Sequence, residues 1–191
     1  WYNSDLDKFT SLNIAWQNNT PGNIKKLFVD STNRLWVSLE RGDVLLIGAD
    51  RLSIPRLTAA KSLASSFIVR DFIETADQQI LLATRHGLYQ FNHQSALLDA
   101  VLYKQKPHNN MMRLFKLNQH QLLVGTTQGL FTFDYQQKIF LPFFAELFDN
   151  KIITALHRFD QQHMMIGTRR SGVFLLNIKQ QSVRHYSSAS V

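Results

Sequence analysis

An apolar triplet recurs four times along the chain at nearly constant spacing, as Leu35-Trp36-Val37, Ile80-Leu81-Leu82, Leu122-Leu123-Val124 and Met164-Met165-Ile166. The central residues 36, 81, 123 and 165 are separated by 45, 42 and 42 positions. A period of this length is the mark of a repeat architecture, in which each copy is one supersecondary unit that cannot bury its apolar surface alone. After each triplet come a small or hydroxyl residue, a short polar turn with a glycine, and a second apolar run: ILLATRHGLYQF from Ile80, LLVGTTQGLFTF from Leu122, MMIGTRRSGVFLL from Met164 and, most divergent, LWVSLERGDVLLI from Leu35.

The agreement extends upstream. Leu27, Phe72, Leu114 and Leu156 stand nine residues before the central position, and Ile24, Val69, Met111 and Ile153 stand twelve before it, marking a first strand in every copy. Turn-forming Asp30-Ser31-Thr32-Asn33, Asp77-Gln78-Gln79, Asn118-Gln119-His120 and Asp160-Gln161-Gln162 separate that strand from the triplet at hairpin spacing. A fourth, weaker strand is expected around Leu52–Leu57, Leu97–Tyr103, Lys138–Phe143 and Ser182–Tyr186.

A sheet with one wet face alternates apolar and polar residues, whereas these triplets are apolar at consecutive positions, so both faces must be covered. Radial stacking of four-stranded blades does this. The expected fold is therefore all-β: four repeats of a four-stranded antiparallel sheet, forming β-propeller blades. Residues 1–19 read as the remnant of a preceding blade or an N-terminal strand, and 20–191 as the propeller domain, with repeats at about 20–63, 64–106, 107–149 and 150–191. Gly42, Gly87, Gly129 and Gly172 fall where a tight hairpin needs positive φ. Trp36, Tyr89, Phe91, Phe131, Phe133 and Phe174 read as packing between blades.

In these stretches the sequence resembles the two-component regulator propeller repeat family, whose blades follow the pattern I-x-x-I-x-x-D-x-x-G-x-L-W-I-G-T-x-x-G-G-L-x-x-Y/F-D. The matching segments are IKKLFVDSTNRLWVSLERGDV from Ile24, MRLFKLNQHQLLVGTTQGLFTFD from Met112 and ITALHRFDQQHMMIGTRRSGVFLLN from Ile153, with a more degenerate match over Val69–Phe91. Only Trp36 keeps the family's tryptophan; Leu81, Leu123 and Met165 replace it. The resemblance implies a periplasmic sensor propeller, the extracytoplasmic part of an inner-membrane protein whose output is a histidine kinase, a diguanylate cyclase or a response regulator. It also implies that four repeats are an arc of a larger, seven-bladed ring. Such an arc would expose apolar faces on its end blades, so self-association through the terminal blades, or closure with help from residues 1–20, is expected. Membrane attachment is expected only through segments outside this chain.

The turns after the second strands carry Arg41, Arg85, His86, Arg169 and Arg170, with Thr126, Thr127 and Gln128 in the third copy, of which Thr127 is the expected ligand contact. In a propeller these turns meet at the mouth of the axial channel, and arginine's paired donors suit carboxylate, sulfate or phosphate. The expected ligand is an anionic small molecule, saccharide or peptide; solvated turn arginines are the alternative that the sequence leaves open. The net charge of +7 and pI near 9.8 steer anions toward the surface. No nucleic-acid module accompanies that charge, so nucleic acid is not an expected partner. The chain has no cysteine, its seven histidines lack metal-ligand spacing, and neither a phosphate loop nor a nucleophile elbow occurs. No catalytic residue, metal or cofactor is assigned. The reading is a ligand-binding sensory input domain, with a protein-interaction scaffold, and then a propeller enzyme acting on anionic glycans, as alternatives.

Overall fold

The computed structural model describes residues 2–3, 7–9, 23–40, 42–49, 56–57, 67–102 and 110–187. A short hairpin pairs β1 (Tyr2–Asn3) with β2 (Lys8–Phe9). Four four-stranded antiparallel sheets follow, each with its strands paired in chain order. Blade 1 consists of β3 (Ile24–Val29), β4 (Leu35–Leu39), β5 (Val44–Ile47) and β6 (Arg56–Leu57). Blade 2 comprises β7 (Val69–Glu74), β8 (Ile80–Thr84), β9 (Gly87–Asn92) and β10 (Leu97–Ala100). Blade 3 is built from β11 (Met111–Lys116), β12 (Gln121–Thr126), β13 (Gly129–Asp134) and β14 (Ile139–Pro142). Blade 4 contains β15 (Ile153–Arg158), β16 (His163–Thr168), β17 (Val173–Asn177) and β18 (Ser182–Tyr186). The first strands β3, β7, β11 and β15 lie side by side in consecutive blades, which makes them the innermost strands of a propeller arc.

The triplets explain how the blades stack. In a strand, neighbouring side chains point to opposite faces of the sheet. The central residue of each triplet faces the following blade and its two flanking residues face the preceding one. Thus Trp36 packs with Ile80 and Leu82, Leu81 with Leu122 and Val124, and Leu123 with Met164 and Ile166. Ile80, Leu81, Leu82, Leu122, Leu123 and Val124 are all fully buried. Met165, the forward-facing residue of blade 4, is only partly buried.

Innermost-strand residues obey the same rule. Val69 and Phe72 pack against blade 1, Met111 and Leu114 against blade 2, and Ile153 against blade 3. Their blade 1 counterparts Ile24 and Leu27 have no preceding blade among the described residues and are 60% and 53% exposed. A separate buried cluster of Val37, Leu39, Leu45 and Ile47 forms on the face of blade 1 opposite Trp36. Gly125 marks how tightly blades 3 and 4 meet: a Cβ at that position would stand 2.6 Å from Ile153 Cγ2.

The second-to-third-strand turns have the expected backbone, with φ of 96° at Gly42 and 73° at Gly172. The aromatic residues expected between blades are found there. Trp36 of blade 1 meets Phe91 of blade 2 edge-on at 4.9 Å, and Phe133 of blade 3, stacked on Phe140 of its own sheet at 4.2 Å, joins the cluster of Leu81, Ala83 and Leu88 of blade 2. One element was not foreseen. A single helical turn, α1 (Ala145–Phe148), connects blade 3 to blade 4 and sends the fully buried Phe148 onto Phe174 at 5.0 Å.

Asp30 ties the first hairpin to this core. Its carboxylate accepts hydrogen bonds from Trp36 Nε1 (2.8 Å), Arg34 Nε (2.8 Å), Thr32 Oγ1 (2.7 Å) and the backbone N–H groups of Thr32 and Arg34 (both 3.0 Å). Burial alone would raise its pKa, but the donors from Trp36, Thr32 and Arg34 outweigh that effect and bring it from 3.8 down to about 2. The folded carboxyl therefore titrates below the unfolded one. Its stabilisation is complete above about pH 4 and is lost as the pH falls through about 2. Replacing Asp30 with Asn is expected to cost on the order of 1–3 kcal/mol at pH 7. Urea titrations should show the variant losing less stability than the parent between pH 4 and pH 2. An unchanged acid limb would contradict this role.

Candidate functional site

Four turns and the residues that precede the innermost strands lie at the same end of the blades. In every blade the first turn residue donates its N–H to the carbonyl just before the innermost strand. These bonds are Glu40 to Asn23 (2.8 Å), Arg85 to Ile68 (3.2 Å), Thr127 to Asn110 (3.1 Å) and Arg169 to Ile152 (3.0 Å). Blades 2 to 4 fix the turn with a threonine at the end of the second strand. The Thr84, Thr126 and Thr168 hydroxyls donate to the carbonyls of Gly87, Gly129 and Gly172 at 2.8, 3.0 and 2.9 Å. Each also accepts a turn N–H, from His86, Gln128 and Ser171 respectively. A hydroxyl that serves both arms of a hairpin holds its tip in one shape, so the side chains between are presented on a rigid rim.

The sequence-derived residues distribute as follows. Arg85, His86, Arg169 and Arg170 are exposed on this rim and Thr127 is half-buried there, while Arg41 lies outside the described residues. The hydrogen-bond pattern makes Arg85 and Arg169 equivalent to each other and to Glu40 and Thr127, so one rim position alternates Glu, Arg, Thr and Arg around the arc. Glu40 is already committed: Lys25 Nζ stands 2.9 Å from its carboxylate, and Asn23 Nδ2 donates to it at 2.9 Å.

A second feature of the rim lies inside the innermost strands. Each carries a β-bulge at its beginning, where the register shifts between Ile24 and Lys26, Val69 and Asp71, Met111 and Arg113, and Ile153 and Ala155. A bulge leaves one residue unpaired and re-aims the side chains around it. The residues so released are Lys25, Arg70, Met112 and Thr154. Arg70 reaches blade 3, with Nη1 2.8 Å from Met112 Sδ, and Arg113 Nη1 donates to the Met112 carbonyl at 2.6 Å. Burial first, then the like charges of Arg85, Arg113 and Arg169, push the Arg70 guanidinium below its ordinary pKa. Two turn arginines found in the sequence thus converge electrostatically with two strand arginines that were not. Among the described residues no carboxylate pairs with any of the four.

Beside Arg70 stands a clamp that spans three blades. The buried carboxylate of Asp71, in blade 2, takes Lys26 Nζ of blade 1 at 2.8 Å and accepts the Leu114 backbone N–H of blade 3 at 3.0 Å. A second acid, Glu74, accepts from the Ser31 N–H and hydroxyl at 2.8 and 2.6 Å, joining blade 2 to the hairpin of blade 1.

At the opposite end, the outer face of blade 4 holds a depression of about 330 Å³ lined in part by Phe159, Asp160, His163, Asn177 and Arg184. Asp160 and His163 pair there at 2.8 Å. Among the described residues no group of three or more His, Asp or Glu side chains could hold a metal ion, and no helix is long and apolar enough to cross a membrane.

The fold so defined is that of β-propeller blades, and solved structures agree. The chain superimposes over 94% of its length on the extracellular domain of BT4673 from B. thetaiotaomicron, described as a one component and as a hybrid two component system. The TM-score is 0.73 at 14% identity, covering 28% of that chain. The extracellular domain of BT3049 from the same organism, described as a hybrid two component system, matches over 88% of this chain and 25% of its own, with TM-score 0.71 and 15% identity. Virginiamycin B lyase from Staphylococcus aureus matches over 89% of this chain and 57% of its own, with TM-score 0.66 and 6% identity. The chain thus spans about a quarter of the length of the two extracellular domains. No family model and no curated protein matches it.

The clamp yields a directional test. Asp71→Ala leaves the Leu114 N–H unpaired in a buried setting and is expected to cost about 2–3 kcal/mol. Lys26→Met leaves the buried Asp71 carboxylate with backbone N–H donors but without its cation, and is expected to cost about 1–3 kcal/mol. Urea denaturation of both variants checks this, and losses below about 0.5 kcal/mol in both would contradict the inter-blade role of Asp71.

Proposed function

We propose that this chain is a ligand-binding sensory input module of an extracytoplasmic, membrane-attached signalling protein, and that the rim is where its ligand is engaged. The observation that carries the reading is the likeness of nearly the whole chain to extracellular domains of two signalling systems. It is supported by a rim that recurrent hydrogen bonds hold rigid while its side chains stay accessible. A rigid scaffold that presents variable turn residues is the arrangement used by binding sites on repeat folds. The expected anion partners Arg85, His86, Thr127, Arg169 and Arg170 all belong to this rim, and Arg41 belongs to it by sequence.

A bound ligand raises apparent stability by mass action, by about 2.7 kcal/mol at a hundred times Kd. Thermal-shift measurement against saccharides, organic acids and peptides is therefore expected to yield at least one compound that raises the melting temperature in a concentration-dependent way and is recovered chemically unchanged. Turnover of that compound, or no response across the three classes, would contradict the sensory reading.

Association of copies through the terminal blades is a second reading, favoured by one observation. The backward-facing Ile24 and Leu27 of blade 1 are open to solvent, while the forward-facing Met165 of blade 4 lacks the cover that Leu81 and Leu123 have. Such a contact joins unlike surfaces, head to tail. Sedimentation velocity is expected to show concentration-dependent association that Met165→Lys abolishes; a strictly monomeric parent would contradict it.

A further inference from the structure

Four buried side-chain polar atoms lack a hydrogen-bond partner among the described residues: Arg70 Nε, Asn110 Oδ1, Gln128 Oε1 and Tyr135 Oη. Three of them lie at the same end of two adjacent blades. Arg70 is the bulged residue of β7 and leans on Met112 of β11. Asn110 immediately precedes β11, and its carbonyl accepts the Thr127 N–H. Gln128 follows Thr127 in the turn of blade 3, and its carbonyl accepts the Asn150 N–H at 3.2 Å. The backbones of Asn110 and Gln128 are thus pinned by hydrogen bonds while their side-chain oxygens are left without donors. A buried polar atom without a partner costs about 1–3 kcal/mol, and each such group in a native protein calls for an explanation. Chance does not favour three at one rim when the remainder of the described chain supplies one.

Charge at this place is equally one-sided. Arg113 is anchored beside Arg70 through the Met112 carbonyl, and the charges of Arg85 and Arg169 bear on Arg70 from the turns of blades 2 and 4. Arg70 and Arg113 are half-buried and Arg85 and Arg169 exposed beside them; like charges so gathered repel one another, and an anion between them relieves that repulsion. The acid at the equivalent rim position, Glu40, is bound to Lys25 and Asn23 in blade 1.

We infer that Arg70, Arg113, Arg85 and Arg169, with Asn110 and Gln128, form a binding site for a small molecule that carries an oxyanion next to hydroxyl or amine donors. This rests on the sensory reading above and deepens it by naming the ligand chemistry, adding Arg70, Arg113 and Asn110 to the rim, and giving Gln128 of the turn a role. The oxyanion meets the guanidinium forks, whose planar paired donors match a carboxylate, sulfate or phosphate. The amide oxygens of Asn110 and Gln128 accept from the neighbouring O–H or N–H groups. Bare inorganic anions satisfy only the first half of the site. Neutral sugars satisfy only the second.

Isothermal titration and thermal shift of the full chain with glucuronate, malate, glutamate, inorganic sulfate and glucose separate these cases. At least one of glucuronate, malate and glutamate is expected to bind more than tenfold tighter than sulfate or glucose. Arg70→Met, which keeps the apolar stem against Met112, is expected to weaken that binding at least tenfold, with Asn110→Ala and Gln128→Ala each weakening it severalfold. The unliganded melting temperature of Arg70→Met serves as the folding control, and Arg113→Met is the second variant should that control fail. Glucose binding as tightly as the acids, affinity unchanged in Arg70→Met and Arg113→Met, or no binding by any of the three acids would overturn the assignment. The first two outcomes would leave the sensory reading standing, because another ligand would then occupy the same rim or another surface.

Discussion

Everything in this molecule depends on sheets being buried from both sides. A four-stranded sheet of this size cannot hold itself together in water; its apolar residues must be removed from solvent by neighbours. Here the forward-facing side chain of one triplet packs against the two backward-facing side chains of the next, and the pattern repeats around the axis. The inner blades 2 and 3 are covered on both faces and contain the fully buried Ile80–Leu82 and Leu122–Val124. At the end blades the covering is incomplete: Ile24 and Leu27 on the innermost strand of blade 1 emerge into solvent although Val37, Leu39, Leu45 and Ile47 on the same face are buried, and Met165 of blade 4 is only partly covered.

Stacking also decides where chemistry can occur. Blades packed face to face hide their apolar faces from one another and leave their ends and outer edges accessible. At one end the bulged innermost strands and the threonine-fastened turns bring basic side chains of three blades to a common rim. The same bulge that frees Arg70 places Asp71 between Lys26 and the Leu114 N–H. A ligand at Arg70 would therefore act one residue away from the contact that fastens blades 1, 2 and 3 to each other. Under the proposed sensory reading, that adjacency would give a ligand at the rim a physical route into inter-blade packing.

Much of this was legible in the sequence because two-sided burial forces apolar residues into consecutive positions, and stacking repeats them at a fixed period. The triplets, the first strands, the turn glycines and the inter-blade aromatics all carried that signal. The turn arginines Arg85 and Arg169 were visible for the same reason, as they stand at matching points of the repeat. Arg70 and Arg113 were not. They sit inside apolar strands at bulges whose free residue differs in every blade, so no period reveals them. Asp71 carries no sequence signal of its role, because its partners Lys26 and Leu114 lie a full repeat away on either side. Thr84, Thr126 and Thr168 recur in step, yet their role as turn fasteners became apparent only when their hydroxyls were seen to bond both arms. The turn α1 had no counterpart in the other repeats and hence no periodic signal.

Blades 2 and 3 form one cooperative body, because each supplies the covering that the other's middle strand needs. Native-state hydrogen exchange measures this directly, since amides that open only with the whole body exchange at the global unfolding free energy. The amides of Leu81, Leu82, Leu123 and Val124 are predicted to share one opening free energy, equal to that from urea denaturation and with the same denaturant dependence. Distinct, lower opening free energies for the two strands, each with its own slope, would show that the blades stand independently and would contradict the account.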